Sequence, residues 1–178
     1  MLPIITYLDL ETTGATPLRD RITEIALVRY EDGIEVSRWQ TLVNPETRIS
    51  PFIQQLTGIT NEMVQAAPTF AEVAGTLSEY LEGAVMVAHN VRFDHGFLKN
   101  EYKRLGAILK QRVLCTVKLS RKLYPEYRSH NLDSIMQRHQ LTTNSRHRAM
   151  SDVELMIGFV QSAQREHGLA RLQEVANE

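Results

Sequence analysis

Three apolar runs at the start of the chain constrain its fold most. The first, IITYLDLE (residues 4–11), is rich in β-branched residues and ends at the turn sequence TTG, which is typical of a buried strand. The second, ITEIALVRYE, leads into Asp32-Gly33, a pair that favours a hairpin turn. The third, IEVSRWQTLVNP, alternates apolar and polar residues up to Pro45. The sequence therefore predicts three antiparallel strands at the start of the fold.

The pattern then changes to helices that alternate with short strands. Apolar residues recur at helical spacing over Thr69–Leu81, and AVMVAH is a short, wholly apolar run typical of a central parallel strand. The further elements that we predict are helices at 93–105, 116–123, 131–139, 149–166 and 169–175, with a short strand at 112–115. Antiparallel strands followed by strand–helix alternation indicate an α/β domain with a mixed sheet.

Length and composition indicate one cytoplasmic domain. A chain of 178 residues is most simply a single domain over 1–178, which could be the N-terminal domain of a longer protein. The single cysteine, Cys115, excludes a disulfide framework and a cysteine-based zinc site within the chain, and it fits a reducing compartment. The start, MLPIITYLDLE, lacks the basic segment of a signal peptide, and no apolar run approaches a membrane span.

Charge is distributed unevenly along the chain. The segment Lys99–Arg148 holds 12 Lys and Arg against 3 Asp and Glu, whereas the remainder holds 8 against 18, for a net charge of -1. A basic region beside an acidic one is typical of a nucleic-acid enzyme with a metal site. A solvated basic face without a ligand explains the cluster equally well, so binding to phosphates needs further support.

Two carboxylates lie at the end of the first predicted strand. Asp9 and Glu11 are two residues apart, so they point to the same face. Two acids at the end of a buried strand repel each other and are costly to desolvate unless a cation lies between them, and hard divalent cations prefer such oxygen ligands. A strand end that emerges into water is the alternative, although the glycine-containing turn after Glu11 would let a ligand approach closely.

A third acid, Asp94, is predicted in the first turn of the helix after AVMVAH. A carboxylate in that turn also stabilises the helix dipole, so a capping role is an alternative. The carboxyl end of a central strand is, however, where open α/β folds bind ligands.

His147 and Asp152 are five residues apart in HRAMSD. On one continuous helix they would lie about 140° apart, so they converge only if His147 lies in the loop and Asp152 in the first turn of the last long helix. The apolar residues Val153, Met156 and Ile157 predict that this helix begins at the required place. An exposed loop histidine without function is the alternative.

Together these five residues predict a site that cuts phosphodiesters. Four carboxylates can hold two Mg²⁺ or Mn²⁺ ions about 3.5–4 Å apart, which clamp the phosphate and stabilise the attacking and leaving oxygens. A histidine, whose ordinary pKa is about 6.5, can take the proton from the attacking water near neutral pH.

The motifs resemble the DEDD superfamily of 3′-to-5′ exonucleases, in its histidine-bearing (DEDDh, DnaQ-like) branch. That branch includes the epsilon proofreading subunit of bacterial DNA polymerase III, RNase T and oligoribonuclease. YLDLETTG, HNVRFDHGFL and HRAMSD are similar to its three motifs, with H-x₄-D spacing in the third, and LTGIT and HNLDSI are similar as well. The resemblance covers essentially the whole chain. It implies a ribonuclease-H-like α/β/α sandwich around a five-stranded mixed sheet whose first three strands are antiparallel.

The resemblance also implies residue roles. Asp9, Glu11 and Asp152 would hold the first metal ion, Asp9 and Asp94 the second, and His147 would be the general base. The residues implied to contact the 3′-terminal nucleotide or support the site are Thr12, Thr13, Leu56, Ile59, His89, Asn90 and Phe93. A role in the core is an alternative for Phe93 and His89.

The resemblance leaves the polymer open. A DNA exonuclease that proofreads for a polymerase or acts in repair is the leading hypothesis, with single-stranded DNA bound through the basic region Lys99–Arg148. An exoribonuclease is the nearest alternative, because a contact to the 2′-hydroxyl cannot be predicted from the sequence. A binding module without catalysis is a third hypothesis, against which the complete set of five residues argues.

Overall fold

The three strands at the start of the chain form three of the five strands of one sheet. The computed structural model describes residues 4–178. In it, β1 (Ile4–Thr12) pairs antiparallel with β2 (Ile22–Glu31), which pairs antiparallel with β3 (Ile34–Leu42). Asp32 and Gly33 turn the chain between β2 and β3 with positive φ angles of 51° and 81°, the conformation that an Asp-Gly hairpin favours. The predicted antiparallel start is confirmed.

Two parallel strands complete the sheet. β4 (Val85–Ala88) pairs with β1, and β5 (Val113–Cys115) pairs with β4, so the strand order is β3-β2-β1-β4-β5. All four residues of β4 are buried, as its wholly apolar sequence predicts. The central strand is therefore β1, and its carboxyl end lies beside that of β4.

Eight helices surround the sheet in the described part of the chain. Their bounds are α1 (Pro51–Thr57), α2 (Asn61–Gln65), α3 (Phe70–Leu81), α4 (Val91–Arg104), α5 (Thr116–Leu123), α6 (Leu132–Arg138), α7 (Ala149–His167) and α8 (Leu169–Ala176). α4 begins two residues before the predicted start, and the other predicted helices agree within one or two residues. Among residues 4–178, no helix is both long and apolar enough to cross a membrane.

The helices cover both faces of the sheet, which confirms the predicted α/β/α sandwich. Leu8 and Leu10 of β1 pack with apolar residues of α3 and α4 on one face. Tyr7 packs with residues of α7 on the other face. Because side chains alternate along a strand, Asp9 and Glu11 continue the row of Tyr7 and face α7.

Candidate active site

Three carboxylates converge where the end of β1 meets the start of α7. Asp9, Glu11 and Asp152 each offer an oxygen atom, and these atoms lie within 4.8 Å of one another. The strand alternation of β1 directs the first two towards α7, and Asp152 lies in the first turn of that helix. Residues from the two ends of the sequence thus form one group of acids.

A fourth carboxylate joins this group from the other face of the sheet. Asp94 lies in the first turn of α4, directly after β4, and is only 2% exposed. Its negative charge helps to raise the pKa of both Asp9 and Glu11, which places it within electrostatic reach of them. The four acids that the sequence predicts for the site therefore lie around the carboxyl end of β1.

The pKa values of these acids are raised because the site is buried and concentrates like charge. Burial is the first cause at each carboxyl: it raises the pKa of Asp94 to about 8 and, together with the neighbouring acids, that of Glu11 to about 9. The pKa of Asp9 is raised well above its ordinary value by burial and then by Asp94, Glu11 and Asp152. A buried group of acids of this kind favours a bound cation.

Three oxygen atoms of the site have no hydrogen-bond donor. Among residues 4–178, the buried atoms Oδ2 of Asp9, Oδ1 of Asp94 and Oδ1 of Asp152 have no partner. Buried polar atoms are normally paired, and an unpaired buried carboxylate oxygen is costly. Carboxylate oxygens are the ligands that Mg²⁺ and Mn²⁺ prefer, so the donor set fits divalent ions.

His147 lies in the loop just before α7, as its spacing from Asp152 requires. It is half-buried and adopts a left-handed backbone conformation with φ of 70°. Its backbone N–H and its ring both help to lower the pKa of Asp152 against the effect of burial, so the two residues are neighbours. This arrangement brings an imidazole ring to the edge of the acidic group.

An ion pair between the buried Glu24 and the partly exposed Arg148, which no sequence motif predicts, fixes the start of α7. Glu24 of β2 lies opposite Glu11 in the sheet and is 4% exposed. Its Oε1 accepts from Arg148 Nε at 3.1 Å and from Ala149 N at 3.0 Å, and its Oε2 accepts from Arg148 Nη2 at 2.7 Å. The Arg148 side chain makes no capping hydrogen bond to α7, so Glu24 supplies an acceptor from another element. The position of Glu24 inside the apolar run ITEIALVRYE is the sequence feature that indicates a buried acid in need of a partner.

A second missed residue, Arg146, contacts the acidic group directly. Its Nη1 donates to Asp152 Oδ2 at 2.7 Å, and its Nε donates to Asp133 Oδ1 of α6 at 2.7 Å. Arg146 lowers the pKa of Asp9, Glu11 and Asp152, which opposes the effect of burial. The sequence offers no local signal for this contact, because it depends on how α6 lies beside α7.

The threonines predicted to contact the nucleotide shape the loop between β1 and β2. Thr12 Oγ1 donates to Gly14 O at 2.6 Å, and Thr13 N donates to Arg21 O at 2.8 Å. Thr13 Oγ1 accepts from Arg21 N at 3.0 Å. A Cβ atom at Gly14 would lie 2.4 Å from Asp20 Oδ2, so a side chain there would displace the Asp20 carboxylate from its bond to Thr16 N. In this structure both threonines bond within the loop, and their contact with a nucleotide stays a prediction.

The two apolar residues predicted to contact the terminal base differ in exposure. Leu56 is 44% exposed on α1, whereas Ile59 is 0% exposed and packs with Ile49 and Val64. The prediction of a base contact by Ile59 does not fit this burial: the left-handed turn at Gly58 directs Ile59 inward. Phe52, one helical turn before Leu56, is 72% exposed, and the sequence analysis missed it.

The residues around Asp94 divide between surface and interior. Asn90 is exposed with φ of 63°, and the half-buried ring of Phe93 packs 4.8 Å from that of Phe97. His89 makes hydrogen-bond contacts of 2.8 Å from Nδ1 to Thr116 Oγ1 and from Nε2 to His130 O. Burial lowers its pKa to about 4. His89 thus joins β4 to α5, in agreement with the structural alternative for this residue.

Three comparisons relate the chain to known proteins. The model of an exonuclease family, RNase_T, matches residues 6–159. The DNA polymerase III PolC-type of Latilactobacillus sakei subsp. sakei (strain 23K) is 42% identical over 147 residues, which is 82% of this chain and 10% of that protein. The 3′-5′ exonuclease DinG of Bacillus subtilis (strain 168) is 41% identical over 150 residues, which is 83% of this chain and 16% of that protein. The chain therefore spans only a small part of these relatives.

A solved structure shows the same fold over nearly the whole length of both chains. Exonuclease X, determined in complex with 5′ overhanging duplex DNA, superposes with a TM-score of 0.74 at 26% identity. The match covers 97% of this chain and 98% of that one. The likeness therefore includes the elements that carry the acidic group, from β1 through α4 to α7.

Proposed function

Since the chain belongs to the RNase_T exonuclease family, we propose that it is a metal-dependent 3′-to-5′ exonuclease that releases nucleoside monophosphates from single-stranded DNA. One observation carries the proposal. Four carboxylates, two of them buried and two half-buried, meet at the end of β1. Three of their oxygen atoms have no donor, and His147 lies at the edge of the group.

The residues divide into ligands and a base. Asp9, Glu11 and Asp152 would hold one divalent ion, and Asp9 with Asp94 a second, as Mg²⁺ or Mn²⁺. When bound, the ions supply Lewis-acid stabilisation of the charge on the phosphate oxygens. His147, in the loop before α7, would accept the proton of the attacking water.

The names of the relatives favour DNA as the polymer. One matched relative is a DNA polymerase III and another is a DinG exonuclease, and the solved Exonuclease X holds DNA. We therefore propose a proofreading or repair role in the cytoplasm, with this chain as an exonuclease domain that works beside a polymerase or a further fused domain. Leu56, Asn90 and Phe93 would hold the terminal nucleotide, and Thr12 and Thr13 would shape its pocket.

A degradation assay tests the proposal. Single-stranded DNA and RNA of one sequence, labelled at either end, are incubated with Mg²⁺ or Mn²⁺ and with wild type, Asp9→Ala or His147→Ala. Glu154→Gln, an exposed acid on α7, is the matched control. We expect stepwise loss from the 3′ end of DNA, with each site variant reduced by about 100-fold or more.

The outcomes separate the parts of the proposal. Shortening from the 5′ end contradicts the assigned direction. Full activity of Asp9→Ala contradicts the metal site. RNA degraded faster than DNA identifies an exoribonuclease, the alternative that the sequence left open.

A further inference from the structure

Arg146 is an arginine bound between two acids at the edge of the site. Its side chain is 22% exposed, and it bridges Asp133 of α6, whose side chain is 58% exposed, and Asp152 of α7, whose side chain is 9% exposed. Both contacts are 2.7 Å long. They engage Nε and Nη1, so the two N–H bonds of Nη2 are not used by either carboxylate. A guanidinium held in this way is a positive charge at a fixed position, and its Nη2 N–H groups bond to neither acid.

The position of this charge affects any cation that the acids bind. Asp152 contributes one oxygen to the group with Asp9 and Glu11, and its Oδ2 accepts from Arg146. A positive charge on a ligand carboxylate weakens its attraction for a divalent ion, because like charges a few ångströms apart repel strongly in a partly buried site. Arg146 should therefore oppose metal binding rather than assist it.

The summed charge of the acids, the divalent ions and Arg146 indicates a role for Arg146 in phosphate binding. Four ionised carboxylates and two divalent ions would cancel each other, so Arg146 adds a positive charge to the group. Asp133 is 58% exposed and therefore screened by water, so it offsets this charge only in part. One phosphodiester supplies further negative charge, and guanidinium N–H groups bind phosphate oxygens well.

We propose that Arg146 couples metal binding to phosphate binding: it lowers the affinity of the carboxylates for divalent ions until a phosphate at the 3′ end balances its charge. The inference rests on the proposed nuclease function and names a positioning residue of the same site. Asp133 takes part in this coupling, because its carboxylate accepts from the same guanidinium at the same distance as Asp152 does and so offsets part of its charge.

Titration of Mn²⁺, followed by electron paramagnetic resonance of the unbound ion, measures the coupling without catalysis. Wild type and Arg146→Gln are titrated with and without deoxythymidine monophosphate, which carries the phosphate probe. We expect Arg146→Gln to bind Mn²⁺ about 10-fold more tightly than wild type without the nucleotide. We expect the nucleotide to tighten Mn²⁺ binding to wild type, and to do so much less for the variant.

Asp133→Asn, at an exposed position, should change the affinity for Mn²⁺ in the direction opposite to that of Arg146→Gln. Without Asp133 the guanidinium is shared with no other acid, so Mn²⁺ should bind more weakly than to wild type. In the Arg146→Gln background the same substitution should change Mn²⁺ affinity much less, because its main partner is gone. Arg146→Lys keeps the charge and should stay closer to wild type, and Arg171→Gln on α8 controls for net charge.

The outcomes separate this inference from the function on which it rests. If Mn²⁺ binding is the same for wild type and Asp9→Ala, the proposed metal site fails. If wild type binds Mn²⁺ but Arg146→Gln binds it equally or more weakly, the coupling role is wrong. Weaker binding would mean that Arg146 orients Asp152 as a ligand, a role whose loss typically lowers metal affinity by about 10–100-fold.

Discussion

The charge of Asp94 should cost stability whenever the site lacks metal ions. Burial raises the pKa of Asp94 from 3.8 to about 8. Because the folded pKa lies above the unfolded one, the cost is absent below about pH 4, grows as the pH rises, and levels off above about pH 8. One pKa unit corresponds to about 1.4 kcal/mol, which sets an upper limit of about 6 kcal/mol. The four acids titrate together and share this cost, so we expect about 2 kcal/mol for one of them.

Asp94→Asn tests this expectation, because asparagine keeps the shape and removes the charge. Urea unfolding is measured with EDTA at pH 4 and pH 8, with Glu154→Gln as a control at an exposed acid. At pH 8 the variant should be more stable than wild type by about 2 kcal/mol, or about 4–8 °C in melting temperature. At pH 4 the difference should vanish. Added Mn²⁺ should stabilise wild type more than the variant, since it binds only the folded site.

Two results would refute the reasoning. A folded Asp94→Asn variant that is no more stable than wild type at pH 8 would mean that the carboxylate is not strained by burial. A gain of equal size at both pH values would mean that the substitution acts through packing rather than charge. The exonuclease activity of the variant should fall in either case, because Asp94 is a proposed ligand.

Three further predictions concern the buried acid Glu24, the apolar residues Leu56 and Ile59, and the basic region. Glu24→Gln weakens the hydrogen bonds that the buried Glu24 accepts from Arg148 and from Ala149 N. It should cost about 2 kcal/mol in urea unfolding, while kcat falls more than KM rises because the loop before α7 shifts. Leu56→Ala should leave stability within about 0.5 kcal/mol but weaken binding of single-stranded DNA, whereas Ile59→Ala should cost about 2–4 kcal/mol; equal stability of the two would contradict their different burial. Binding of single-stranded DNA by the basic region Lys99–Arg148 should weaken as salt is added. In a fluorescence titration, the logarithm of the binding constant plotted against the logarithm of the salt concentration should have a slope no steeper than about -5.

Local periodicity was sufficient to predict much of the fold and the acids of the site. Asp9 and Glu11 share a face because strand side chains alternate, and the structure places both towards α7. The five-residue step from His147 to Asp152 required a loop before a helix, and the structure has this arrangement. Both predictions needed only the geometry of one element, which the sequence encodes directly.

Contacts between distant elements could not be predicted in the same way. Glu24 reaches Arg148 because β2 lies beside β1 and under the start of α7, a proximity that no local pattern encodes. Arg146 reaches Asp133 only through the packing of α6. Ile59 was assigned a base contact together with Leu56, but the left-handed turn at Gly58 separates their directions.

Contacts within the protein reduce the number of basic residues in the region that are free to bind phosphates. Its 12 Lys and Arg suggest a strongly positive surface. Five of these are engaged within the protein, by an acid or between tyrosine rings, and they are Arg104, Lys122, Arg138, Arg146 and Arg148. The other seven form no ion pair within residues 4–178, and each contact to a single-strand phosphate contributes a slope of about -0.7, which gives the limit of about -5. A steeper slope would require phosphate contacts from these five engaged residues or from basic residues outside the region, such as Arg92. Among the five, Arg146, whose partners include a proposed metal ligand, is the one that our inference expects to respond to phosphate.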